Sequence, residues 1–184
     1  MAGWRECTIA DLGTVIGGAT PSTKDPENYE EGNIPWITPK DLSTFSDRYI
    51  SRGERNITEK GLKGCSAQLM PRHSVLFTSR APIGYIAIAE NEVCTNQGFK
   101  SVVPNDRTDY LFLYYLLKYN KDRIESLGSG TTFKEVSDCK SVWEEPVTEI
   151  AFNNCFMVNH IKDARISPTN EDSEEKILDK ELSS

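Results

Sequence analysis

Short apolar runs separated by clusters of Gly, Pro, Asn and Ser make up the first hundred residues, a pattern that predicts strands and turns more than helices. The stretch Thr8-Ile9-Ala10-Asp11-Leu12-Gly13-Thr14-Val15-Ile16 reads as a short strand or turn entering a second strand, with Gly17-Gly18 as the break. Residues 19–26 hold two prolines and small polar side chains and read as a loop. Its Thr, Ser and Lys side chains could touch phosphates, or simply be solvated. Asn33-Ile34-Pro35-Trp36-Ile37-Thr38 is a short apolar strand, and Pro39-Lys40-Asp41-Leu42 is a turn or a single helical turn. Residues 49–55 are polar and extended. Thr58 is placed to cap a short helix, with Ile57 and Leu62 as a hydrophobic staple and Gly61 and Gly64 limiting its length. Val75-Leu76-Phe77-Thr78 is a further strand. His73, in the turn before it, reads as a solvated loop histidine.

Residues 79–103 form the stretch around which the rest is organised. Ser79-Arg80-Ala81-Pro82 is a rigid polar turn, residues 85–89 are a buried strand, Glu90-Asn91-Glu92 is a tight turn, and residues 93–103 are a second apolar run interrupted by Thr95-Asn96-Gln97-Gly98. The pattern predicts a hairpin with polar groups at both ends. One strong helix is expected over residues 109–127, capped by Thr108, with Leu113, Leu116, Leu117, Ile124 and Leu127 on one face and Gly128 as the stop. Tyr110, Tyr114, Tyr115 and Tyr119 on it are expected to pack rather than to stack on unpaired bases. Beyond residue 140 the period is lost. Residues 167–184 are acidic and Ser-rich, with a short helix over residues 171–182, and are expected to be poorly ordered or loosely docked.

The formal charge of −7 changes little once it is divided along the chain. Residues 1–140 hold 17 Lys+Arg against 18 Asp+Glu, and residues 141–184 hold 4 against 10. The first part is therefore near neutral and the acidity lies in the tail. Such a chain is a weak stand-alone DNA binder, because phosphate neutralisation supplies most non-specific affinity. No stretch has the length and apolarity of a membrane span, and the N-terminus lacks the apolar core of a secretory signal. The five cysteines, Cys7, Cys65, Cys94, Cys139 and Cys155, form no Cys-x-x-Cys pair. Neither zinc nor a redox motif is supported, and reduced thiols in a cytoplasmic setting are the simplest account.

Catalytic signatures are missing. There is no Gly-x-Ser-x-Gly, no His-Glu-x-x-His and no Gly-x-Gly-x-x-Gly. Gly128-Ser129-Gly130-Thr131-Thr132-Phe133-Lys134 is glycine-rich but follows a helix, whereas a P-loop precedes one. Glu90 and Glu92 are solvated turn residues, not an acid–base pair. The expectation is a non-catalytic protein without a metal site. Arg80, Asn96, Gln97 and Lys100 are the side chains that could read base edges or grip phosphates. The same residue types also cap turns and satisfy buried backbone.

The run from Gly32 to Leu42, the segments Ile57-Thr58-Glu59-Lys60-Gly61-Leu62, Ser79-Arg80-Ala81-Pro82-Ile83-Gly84-Tyr85 and Cys94-Thr95-Asn96-Gln97-Gly98-Phe99-Lys100, the Gly130 to Lys134 segment and the early Gly17-Gly18-Ala19-Thr20-Pro21-Ser22 loop occur in one order. Together they resemble the target recognition domain of type I restriction–modification specificity subunits, over roughly residues 4–140. The resemblance implies an α+β (mixed α/β) domain with a mainly antiparallel sheet, hairpins and one long helix at residues 1–140, followed by a divergent acidic tail at 141–184. It implies a module that reads one half of a split target in double-stranded DNA. Methylation with S-adenosylmethionine and ATP-driven cleavage would belong to modification (methyltransferase) and restriction subunits, and a second specificity half-subunit would complete the target. Lys40, Arg80, Asn96, Gln97 and Lys100 are the expected DNA contacts, with Thr131, Thr132 and Lys134 on the backbone. Members of the family normally carry two such domains and long spacer helices. This chain has room for one domain, shows no sustained heptad, and departs from the family after Val136. A second reading makes it a truncated remnant acting only as a protein-interaction or decoy module.

Overall fold

The computed structural model describes residues 8–126 except residue 81. Elements expected beyond residue 126, including the tail helix, lie outside the described residues. Among the described residues, two sheets carry the fold. The larger has strand order β1-β8-β5-β6-β3, built from β1 (Gly13–Gly17), β3 (Tyr49–Ile50), β5 (Val75–Phe77), β6 (Ile86–Ala89) and β8 (Lys100–Pro104). The smaller, β4-β2-β7, is built from β2 (Ile34–Ile37), β4 (Arg55–Ile57) and β7 (Cys94–Thr95). Four of the six described strand pairings are antiparallel, and β2–β7 and β3–β6 are parallel. Short helices join them: α1 (Ile9–Leu12), α2 (Pro39–Ser43), α3 (Glu59–Lys63), α4 (Tyr110–Tyr119) and α5 (Lys121–Ser126). The architecture is α+β, as expected.

Alternation explains where each strand lies. In β2, Ile34 and Trp36 pack with Ile57, Ala67 and Cys94, while Ile37 faces the opposite way, into a cluster with Leu42, Ile50, Met70, Leu76, Ala87, Ala89, Val93 and Phe99. That second cluster draws on both sheets and ties them together. Leu76 and Ala87 stand opposite each other in the β5–β6 register and belong to it. Val75 and Ile88 therefore face the other side of the larger sheet, which α4 covers. Burial pushes the Cys94 thiol up to about 12, so it is a protonated packing group at neutral pH.

The α3 reading holds. Thr58 Oγ1 accepts from Gly61 N at 3.1 Å, and Ile57 and Leu62 share one apolar cluster. Residues 8–12 take the turn of the two expected alternatives and enter β1. Thr8 and Asp11 form a capping box, with Thr8 N donating to Asp11 Oδ2 at 2.8 Å, and make that turn helical. The expected central hairpin is absent. β6 pairs antiparallel with β5, while β7 leaves for the smaller sheet and β8 inserts between β1 and β5. The Glu90–Glu92 turn thus joins strands with different partners. The hairpin that does form joins β5 to β6 through the loop bearing Arg80.

The expected long helix is two helices. Asn120 breaks it, donating from Nδ2 to Leu116 O at 2.8 Å, with its backbone carbonyl accepting from Ile124 N at 2.9 Å. A short amide side chain that bonds the preceding turn competes with helix continuation. The cap is Asp109, whose carboxylate accepts from Phe112 N at 2.9 Å, and not Thr108, whose hydroxyl donates to Asn105 Oδ1 at 3.0 Å. Leu113, Leu116, Leu117 and Ile124 are buried as the period predicts. Tyr114 and Tyr115 are packing residues, lying beneath the Arg48 guanidinium at 5.8 and 5.4 Å, whereas Tyr119 is exposed. His73 is not a plain solvated residue. Its ring stacks on Tyr110 at 4.0 Å, and its backbone holds a φ of 70°.

Candidate nucleic-acid interface

The turn between β7 and β8, residues 96–99, is where four parts of the chain meet. Phe99 is fully buried and anchors it. Asn96 N donates to Ile37 O at 3.0 Å, tying the turn to the end of β2. Ala19 N donates to Thr95 O at 3.0 Å, bringing in the loop after β1. Ser79 N donates to Gly98 O at 2.8 Å, bringing in the loop after β5. Pro39, the first residue of α2, packs so closely that a Cβ at Gly98 would lie 2.9 Å from its Cγ.

Each contributing loop is itself fixed. Trp36 Nε1 donates to Ala19 O at 3.0 Å, and the Tyr29 hydroxyl donates to Pro21 O at 2.6 Å. Thr78 closes the Arg80 loop: its hydroxyl donates to Pro82 O at 2.7 Å and accepts from Tyr85 N at 2.8 Å. Asp41 caps α2 by accepting from Thr38 N at 2.7 Å, and its other oxygen accepts from Glu54 N at 2.7 Å. The polar side chains therefore stand on a preorganised frame, which lowers the ordering cost of binding.

Arg80, Asn96, Gln97 and Lys100 are brought to this one end of the fold. They differ in how the fold uses them. Asn96 Oδ1 accepts from Gly98 N at 2.9 Å, closing its own turn as the local reading allows. Gln97 is exposed at the apex, and its Oε1 accepts from the Thr20 hydroxyl. Arg80 is half-buried beside Ser79. Lys100 is only 9% exposed, and its ammonium lies over Gly17, 3.2 Å from where a Cβ there would sit. Lys40 is exposed but compensated: Nζ is 2.6 Å from Glu54 Oε2, which together with its charge raises the Lys40 pKa above the usual lysine value. Thr131, Thr132 and Lys134 lie outside the described residues. Thr20 and Gly18 matter more than their residue types suggest. A Cβ at Gly18 would overlap the carbonyl oxygens of Thr95 and Asn96. The Gly-Gly pair is the one sequence signal for that approach.

Among the described residues no cluster of His, Cys, Asp and Glu could hold a metal, and no helix is long and apolar enough to cross a membrane. Comparison with known proteins gives a consistent result. A family model described as the type I restriction modification DNA specificity domain matches residues 1–140. The MjaIX type I restriction enzyme specificity subunit of Methanocaldococcus jannaschii is 51% identical over 135 residues, 72% of this chain and 31% of that protein. The EcoR124I/EcoR124II specificity subunit of Escherichia coli is 30% identical over 118 residues, 62% of this chain and 28% of that protein. The chain thus spans under a third of these curated relatives. Among solved structures, the HsdS subunit of Thermoanaerobacter tengcongensis superposes with a TM-score of 0.56 at 21% identity, covering 97% of this chain and 44% of that one. A chain from a type I R-M system complex superposes with a TM-score of 0.58 at 21% identity, covering 89% and 39%. These structures share the fold. With the family model spanning most of its length, this chain belongs to the family of type I restriction modification DNA specificity domains.

Proposed function

We propose that this chain is a non-catalytic module that recognises one half of a split duplex target and directs methylation and cleavage performed by other subunits. S-adenosylmethionine and ATP would bind those modification and restriction subunits, in the cytoplasm, and a second specificity half-subunit would read the other half-site. The observation that carries this reading is the convergence of Arg80, Asn96, Gln97 and Lys100 on one braced turn. Rigid backbone with exposed donors and acceptors suits the major groove, where each base pair presents its own pattern. Arg80 and Gln97 are the base readers, and Asn96 shapes the turn. Lys40 is the phosphate contact proposed among the described residues, Lys100 braces the turn over Gly17, and Thr131, Thr132 and Lys134 are proposed as further backbone contacts. Partner subunits would supply the remaining charge that a near-neutral domain lacks.

The test is selection from a random duplex library by the full chain assembled with the methyltransferase subunits of its own system. One enriched half-site is expected, and Arg80→Ala should lose about 1–3 kcal/mol of discrimination at a single base pair. Recovery of no preferred sequence would overturn the reading. An Arg80→Ala profile identical to the parent would remove Arg80 from it.

A further inference from the structure

The apex of the braced turn carries a side chain whose orientation is set by a different loop. The backbone on either side of Gln97 is fixed, by Asn96 N to Ile37 O at 3.0 Å and by Ser79 N to Gly98 O at 2.8 Å. The Gln97 side chain would nevertheless sample many rotamers if left alone. It is held instead by Thr20, whose hydroxyl donates to Gln97 Oε1 across 77 residues of sequence. Thr20 is well suited to hold it. It is β-branched and therefore stiff at χ1. It also sits between Ala19, whose N and O are both bonded, and Pro21, whose carbonyl accepts from Tyr29.

We infer that Thr20 is a specificity-determining positioning residue: by occupying the carbonyl end of the Gln97 amide, it presents the Nε2 donors to the DNA, so that Gln97 reads a hydrogen-bond acceptor on the major-groove edge. This inference rests on the proposed role in DNA recognition. An amide has one donor end and one acceptor end, in one plane. Once the acceptor end is engaged by the protein, the outward end is the NH2. Purine N7, guanine O6 and thymine O4 are matching acceptors. The cytosine N4 amino group is a donor and would meet a donor. The pair therefore selects against cytosine at the base it faces. The ordering cost of the long side chain is met in the free protein, before DNA arrives.

Duplex selection and salt-dependent binding by the full chain, assembled with its methyltransferase subunits, test this with Thr20→Val, Thr20→Ser, Gln97→Ala, Gln97→Glu and the Thr20→Val/Gln97→Ala double variant. Gln97→Ala should lose roughly tenfold or more in discrimination at one base pair. Thr20→Val should lose part of the same discrimination at the same base pair, Thr20→Ser should retain it, and the double variant should be no worse than Gln97→Ala. The salt dependence should be unchanged in the four variants that conserve charge, which separates orientation from phosphate contact or general loosening. Gln97→Glu leaves the Thr20 hydroxyl an acceptor but turns an oxygen outward, so preference at that base pair should move toward cytosine. That variant decides the matter even if Thr20→Val fails to fold. The inference falls if Thr20→Val keeps the parental profile, if its loss maps to another base pair, or if Gln97→Glu gains no cytosine preference. If the parent itself selects no sequence, the recognition role falls and this inference with it. Parental selection with unchanged Thr20→Val and Gln97→Glu profiles overturns the inference alone.

Discussion

Gly18 lies against the carbonyl oxygens of Thr95 and Asn96 and against the Thr95 hydroxyl. Two of these neighbours are backbone in a strand and a braced turn, so they cannot rotate away. Gly18→Ala should therefore push the loop off the turn, at a cost on the order of 1–3 kcal/mol in a urea melt. It should also weaken duplex selection, because Thr20 moves with the loop. A parental melt and profile would show that the loop yields without consequence. The residue scale is also where the sequence was least legible. Arg80, Asn96, Gln97 and Lys100 stand out by type, yet type does not say which oxygen an amide has already committed. Asn96 closes its own turn, Lys100 folds over Gly17, and Lys40 is matched by Glu54 fourteen positions away. These uses depend on contacts between distant segments, which no local pattern encodes.

Elements were read better than their partners. Strands β2, β5, β6 and β8 and the helix α3 fall where alternation and capping place them, because those signals are local. The central hairpin failed because two adjacent apolar runs with a polar turn between them also describe strands that part into different sheets. The long helix expected over residues 109–127 failed at Asn120 because the apolar period continues through the break: Leu117 and Ile124 are both buried. Its start shows how close two candidate caps can be. Asp109 accepts from Phe112 N, whereas Thr108 bonds Asn105. Asp109→Ala should cost about 1 kcal/mol in a thermal or urea melt, the usual loss of an N-cap. Thr108→Ala should cost less, since it removes only an exposed side-chain bond. Equal losses would mean that the Asn105–Thr108 turn sets the helix start as firmly as the cap does.

For the whole molecule the proposed role raises the question of how a chain of net charge −7 would engage a polyanion. The slope of log affinity against log salt counts the phosphates neutralised, at about 0.9 per contact. Residues 1–140 are nearly neutral, Lys100 is only 9% exposed, and Lys40 is paired with Glu54 at 2.6 Å. Among the described residues few cations remain to meet phosphate at this end, so the unassembled chain should show a shallow slope. Glu54→Gln tests that account directly. It keeps the side chain's size and removes the charge opposing Lys40, leaving the ammonium to pair with a phosphate. Affinity at low salt should rise for all duplexes alike, and the slope should steepen by about one contact. Sequence preference should stay as in the parent, because phosphates carry no base identity. Adding Lys40→Ala to Glu54→Gln should cancel the gain. A Glu54→Gln variant with an unchanged slope would place Lys40 away from the DNA, and one with a changed base preference would make the ion pair part of the reading surface itself.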